Sequence, residues 1–181
     1  MGHALRLIVI GALAVFAARA ASLTVVFQFE SAPSRQVAAE MEKEAQRLVA
    51  GEGLELQWRL RADVSPADEF EHVVVVNFTG RCALPSLARG LSPIPEVLGV
   101  TRSSGDTLLP FSEVKCDAVG TLIAQQTKGQ PPGASAVLYG RALGRVLAHE
   151  LRHAARNTRS HERHGYAKES LSAAQLIAER F

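Results

Sequence analysis

Four of the chain's six histidines fall between Gly140 and Lys168, in GRALGRVLAHELRHAARNTRSHERHGYAK. Within that stretch His149-Glu150-Leu151-Arg152-His153 reads H-E-x-x-H. Residues four apart on an α-helix project from one face. Two imidazoles so spaced can reach one metal ion, with Glu150 on the same side of the helix. The chemistry such a set serves is hydrolysis at zinc, with histidines as ligands and a glutamate as general base toward water at the metal. The plainer alternative is a solvated helix face that happens to carry two histidines. Two local features weigh against it. Ala142 to Leu151 is helical in pattern, with Leu143, Val146, Leu147 and Leu151 spaced as an apolar stripe. His161 and His164 follow closely enough to supply a third ligand.

The motif resembles that of the zincin metallopeptidases and, among them, the metzincins, whose pattern is H-E-x-x-H-x-x-G-x-x-H. In that family a glycine breaks the helix and the chain turns back to deliver the third histidine. Here Arg156 stands at the glycine position and Arg159 at the third-histidine position. Asn157 and His161 are the nearest equivalents, one and two residues later. Asparagine tolerates the left-handed conformation that ends helices, so Asn157 is the expected helix stop. The longer string HELRHAARNTRSHxxxGxAK is also similar to that of small secreted bacterial proteins with a zinc site of this kind. The resemblance covers the site stretch closely and the remainder in outline. It implies a zinc cofactor, peptide or protein substrates, and a secreted metalloendopeptidase.

On that resemblance zinc is held by His149, His153 and His161, with Glu150 as the catalytic base. His164 is the rival third ligand; His161 is preferred because it matches the longer resembled string and lies nearer the expected turn. Tyr166 is read as packing, with oxyanion stabilisation as its alternative role. Metzincins also carry a methionine turn beneath the metal, and with Met1 and Met41 as the only methionines this chain has none. Two non-catalytic readings stay open: a secreted metal-binding protein, and an inactive peptidase fold acting as a binding module.

The elements that must position these residues follow from pattern. The expected fold is α+β and zincin-like: a mixed twisted β-sheet with an N-terminal helix and a central active-site helix. Ser22 to Glu30 is β-branched and aromatic, a first strand. Ser34 to Ala50 carries an apolar stripe at Val37, Met41, Ala45 and Leu48 and is stopped by Gly51-Glu52-Gly53, a helix. Leu54 to Leu60 alternates apolar and polar, a half-buried strand. His72 to Phe78 is a continuous apolar run, a central strand buried on both faces. Residues 80–96 are broken by Pro85, Pro93 and Pro95 and read as loop. Val97 to Arg102 and Leu108 to Lys115 form a hairpin, and by resemblance part of it is the edge strand that pairs with an extended substrate. Asp117 to Gln126 is a short helix, and the site helix runs from near Ser135 to Arg156. Gly140 and Gly144, one turn apart within it, each cost about 1 kcal/mol relative to alanine, which implies close packing on the sheet. Leu171 to Glu179 is a last short helix.

Residues 1–20 read as a signal peptide: His3 and Arg6 precede a short apolar run, and Ala18-Arg19-Ala20 offers cleavage after Ala20. An uncleaved anchor is disfavoured because the run is short for a bilayer. The mature domain is then 21–181, destined for the periplasm or the exterior, with no stable membrane anchor. Arg6 and Arg19 leave with the leader and no acidic residue does, so 18 of 20 basic residues remain against 18 acidic. A nucleic-acid partner is not expected: Arg152, Arg156, Arg159 and Arg163 cluster, but no nucleic-acid-binding fold accompanies them. They read as a solvated face or as anchors for acidic substrate groups. Cys82 and Cys116 suit an oxidising compartment and are expected to form a disulfide in preference to a metal pair.

Overall fold

The computed structural model describes residues 21–85 and 97–181. The expected signal peptide, residues 1–20, and most of the proline-rich loop lie outside the described residues.

Strand β1 (Ala21–Ser31) leads into helix α1 (Arg35–Ala50). Ser34 caps that helix by accepting from the Val37 N–H, which satisfies one of the free donors of the first turn. Strand β2 (Leu54–Leu60) returns parallel to β1, as a strand–helix–strand crossover requires. Strand β3 (Val73–Arg81) adds to the other side of β1. A hairpin follows: β4 (Gly99–Ser104) turns at Gly105 and Asp106 into β5 (Thr107–Lys115). Gly105 has φ +57°, a conformation that glycine adopts at no steric cost. The sheet order is β2-β1-β3-β5-β4. Its first four strands run parallel, and β4 lies antiparallel to β5 at the edge. Helix α2 (Cys116–Ile123) follows β5 directly, then the long helix α3 (Pro132–Arg156), and finally α4 (Ala173–Ile177). Among the described residues the architecture is mixed α/β, with a mostly parallel five-stranded sheet and four α-helices.

Leu23, Val25 and Phe27 of β1, Val74, Val76 and Phe78 of β3, and Val114 of β5 enter one core with the apolar stripes of α1 and α3. Two expectations change here. Strand β3 is central but not buried on both faces: Val74, Val76 and Phe78 are buried, whereas Val73, Val75 and Asn77 are only half-buried. The described helical cover packs on one face. Gly140 and Gly144 do permit a close approach, but to α1 and not to the sheet. A Cβ on Gly140 would lie 2.6 Å from the Val37 carbonyl oxygen, and one on Gly144 2.6 Å from that of Met41.

Cys82 and Cys116 are joined by a disulfide across 34 residues, which ties the end of β3 to the start of α2. Among the described residues no helix is long and apolar enough to cross a membrane.

Candidate metal centre

Helix α3 supplies the first part of the site. It is helical through the motif because its inward stripe, Leu143, Val146, Leu147 and Leu151, is fully or almost fully buried. It stops at Asn157, whose φ 45° and ψ 47° place it in the left-handed region, and whose N–H donates to the His153 carbonyl. The chain reverses there. The Asn157 side chain joins the reversal to the hairpin, since its Oδ1 accepts from the Leu108 N–H at 2.9 Å.

The reversal carries His161 back over α3. One candidate ligand nitrogen from each of His149, His153 and His161 lies within 4.8 Å of the others. The His149 and His161 rings are stacked, with centroids 5.2 Å apart, and His153 meets His161 edge to face at 5.0 Å. His153 is buried, His149 half-buried and His161 exposed. His164 is exposed and lies outside this group. Tyr166 also stands apart: its hydroxyl donates to Glu52, and neither residue lines the cavity that holds the three histidines. What Tyr166 brings to the site is its backbone carbonyl, 3.0 Å from His149 Nδ1. The oxyanion alternative for its phenol therefore has no geometric support.

The donor set fits a cation. His149 Nδ1 faces the Tyr166 carbonyl and His153 Nδ1 faces the Thr158 carbonyl at 2.6 Å. A carbonyl only accepts, so both Nδ1 atoms carry protons and both Nε2 atoms carry lone pairs. Those two Nε2 atoms are 2.9 Å apart. Lone pairs that close repel unless a cation lies between them. Tetrahedral coordination with zinc–nitrogen distances of 2.0–2.1 Å places ligand nitrogens about 3.3 Å apart. Protons are held poorly in the same place. Burial lowers the His149 pKa to about 4, helped by the nearby charges of His153, His161 and Arg152 and opposed by the Tyr166 carbonyl. His153 is lowered as well, mainly by burial. Neutral imidazoles are the form that binds metal.

Glu150 lines the same cavity of about 530 Å³. Its Oε2 accepts from the Thr101 hydroxyl at 2.7 Å, and Thr101 is itself 3.1 Å from the Ser112 hydroxyl. Burial raises the Glu150 carboxyl to about 7, with the Thr101 hydrogen bond acting in the opposite direction. Gly99 of β4 is the close neighbour that leaves room for it: a Cβ there would meet Glu150 Oε1 at 2.7 Å. The cavity's other walls are largely apolar, with Leu98, Val146, Leu122 and Leu171, and with Arg159 and Lys168 as its cations.

Gly99, Thr101, Ser112 and Glu52 are the site's supporting residues that sequence reading did not single out. None carries a local pattern; each matters only because the sheet and the α1–β2 turn bring it beside α3. Comparisons with protein-family models, with curated proteins and with solved structures find no match to this chain.

Proposed function

We propose that this chain is an exported zinc-dependent endopeptidase with a zincin-like arrangement, in which His149, His153 and His161 hold the metal and Glu150 is the general base. The observation that carries the reading is the pair of facing Nε2 atoms with both Nδ1 atoms committed to carbonyls, beside a buried carboxyl in one cavity. Zinc held by three imidazoles supplies Lewis acidity, which acidifies water and polarises a carbonyl.

The chain's own groups do the rest. Edge strand β4 offers main-chain donors and acceptors on its outer side, so an extended peptide can add to the sheet beside the histidines. Glu150, oriented by Thr101, takes a proton from the water that attacks the peptide carbonyl carbon. As the C–N bond breaks, Glu150 returns that proton to the leaving amine, and the products are an amine and a carboxylic acid, whose remaining proton passes to solvent. A carboxyl poised near 7 both accepts and donates at neutral pH. The disulfide and the secretory character of residues 1–20 support export to an oxidising compartment.

Glu150→Gln tests this reading. Wild type and variant are expected to hold about one zinc per chain, while hydrolysis of an unfolded protein such as casein falls roughly 10²- to 10⁴-fold in the variant. Undiminished turnover would defeat the general-base assignment. Zinc uptake by a wild-type protein that cleaves nothing would favour the metal-binding alternative. In the same assay His161→Ala is expected to lose zinc and His164→Ala to keep it.

A further inference from the structure

Resting on that metal-site reading, we propose that Glu52, in the turn between α1 and β2, is a positioning residue that orients two of the three imidazoles, His149 and His161, from outside the cavity.

Glu52 lies far from the motif in sequence, yet one carboxylate reaches three side chains around it. Its Oε1 accepts from the Tyr166 hydroxyl and lies 3.4 Å from Arg152 Nε. Its Oε2 lies 3.4 Å from Arg156 Nε, while Arg156 Nη2 donates to the Glu52 backbone carbonyl at 2.6 Å.

Two paths lead from these contacts to the metal ligands. Along the first, the bond to Tyr166 pins the short 3-10 turn Gly165–Ala167, and the carbonyl of that same Tyr166 receives the His149 Nδ1–H. Along the second, the Arg152 guanidinium is set by Glu52 at one end. At the other end its Nη1 donates to the Ser160 carbonyl and its Nη2 to Glu162 Oε1, both at 2.8 Å. Ser160 and Glu162 flank His161. The Arg152 side chain is only 13% exposed, so this fork is held in one place.

Isolated surface ion pairs contribute little to stability, and stability is not the role assigned here. Groups that orient ligands act on metal affinity, because an imidazole free to choose its tautomer and rotamer must be ordered when the metal arrives. Glu52, Arg152 and Tyr166 line a separate cavity together with Arg156 and Glu162, and none of the three lines the cavity of the histidines. Glu52 therefore does not touch a peptide bound there.

The test is a zinc titration against a chromophoric chelator for wild type, Glu52→Ala and Tyr166→Phe, with urea unfolding of each metal-free protein. Glu52→Ala is expected to weaken zinc binding roughly 10- to 100-fold with its unfolding midpoint close to that of wild type. Tyr166→Phe cuts only the first path and is expected to weaken it less. The double variant should fall short of the sum of the two, as residues acting through one network do. Zinc affinity in Glu52→Ala within about threefold of wild type would overturn the proposal, since that is below the effect of orienting groups. A second readout needs no metal. The His149 Nδ1–H resonance in ¹⁵N-labelled metal-free protein is expected to be protected in wild type and lost in Glu52→Ala. Its survival there would refute the positioning role even if the wild type bound no zinc, an outcome that would separately defeat the metal-site reading.

Discussion

Gly99→Ala is expected to separate proton transfer from metal binding, and its size can be worked from contacts. Gly99 pairs with Val114 across the β4–β5 ladder, so its backbone cannot retreat from α3 without breaking the sheet edge. A Cβ placed on it would stand 2.7 Å from Glu150 Oε1, 2.9 Å from Glu150 Cγ and 3.0 Å from Val146 Cγ1. Ordinary contact begins near 3.4 Å, a deficit of about 0.7 Å at the carboxylate oxygen. Alanine is not excluded by backbone conformation, because Gly99 is not among the residues with positive φ. The side chain of Glu150 must therefore yield, and it is the proposed general base. Since a misplacement of about 1 Å can cost about 10²-fold in rate, kcat should fall roughly 10- to 100-fold. Overpacking should also cost about 1–3 kcal/mol of stability. Zinc stoichiometry should not change, because no imidazole contacts Gly99 among the closest atoms. The assay is steady-state cleavage of a fluorogenic peptide, paired with metal analysis and urea unfolding. A zinc-loaded, folded Gly99→Ala protein with kcat within about twofold of wild type would refute the claim that β4 fixes the base to better than an ångström.

Other outcomes follow from the frame that holds α3. Arg145 is fully buried and its Nε lies 2.7 Å from Glu44 Oε1; its Nη2 also donates to the Ala178 carbonyl at 2.6 Å. Arg145→Ala leaves Glu44 buried with only Arg47, and urea unfolding should report a loss of about 3–5 kcal/mol; a loss below about 1 kcal/mol would contradict this. Burial alone would raise the Glu44 carboxyl, but hydrogen bonds and charge from Arg47 and Arg145 hold it below its usual 4.5. A lowered folded-state pKa means this stabilisation is present above pH 4.5 and is lost as pH falls through the folded value. The wild type should therefore lose stability on acidification below pH 4.5 more steeply than Arg145→Ala, as read by unfolding midpoints at successive pH values. Replacing Cys82 and Cys116 with alanine opens a 34-residue loop and should cost about 3–4 kcal/mol by the chain-entropy account. An unchanged midpoint would argue against a stabilising bridge.

Much of the frame was legible because its signals are local. Alternation in LELQWRL gives β2 its observed bounds, Leu54–Leu60, and Ser34 before a 3.6-residue stripe gives α1 its start. The stop at Asn157 follows from a side chain that tolerates positive φ. Helix α3 begins three residues before the expected Ser135, because Pro132 suits a first helical turn as well as it suits a loop. Gly140 and Gly144 of α3 mark a close approach, and the structure has one at each. A missing Cβ says that something comes near, not what, so assignment to the sheet instead of α1 was a gap no local pattern could close. Strand β3 misled for a related reason. Four valines in a row satisfy a strand covered on both faces equally as well as one half-covered, and only the placement of α1 and α3 decides between them.

The same limit explains the arginines beside the motif, which read as a solvated face or as anchors for acidic groups. Arg156 and Arg159 are exposed, as a solvated face requires, yet Arg156 and the largely buried Arg152 also reach Glu52, and Arg159 donates to the Gly105 carbonyl at the hairpin tip. Their role follows from the spacing of the third histidine. His161 comes two residues later than in the metzincin pattern, and no glycine sharpens the turn. A longer reversal has more conformational freedom to lose before its imidazole is fixed. Asn157 to Leu108, Arg159 to Gly105 and Arg152 to Ser160 are the three ties that remove that freedom, one near the start, one midway and one next to His161. On this view, the long reversal before His161 and the arginine cluster are a single feature. Arginine supplies the long, forked donors that an extended loop needs and that a tight glycine turn does not.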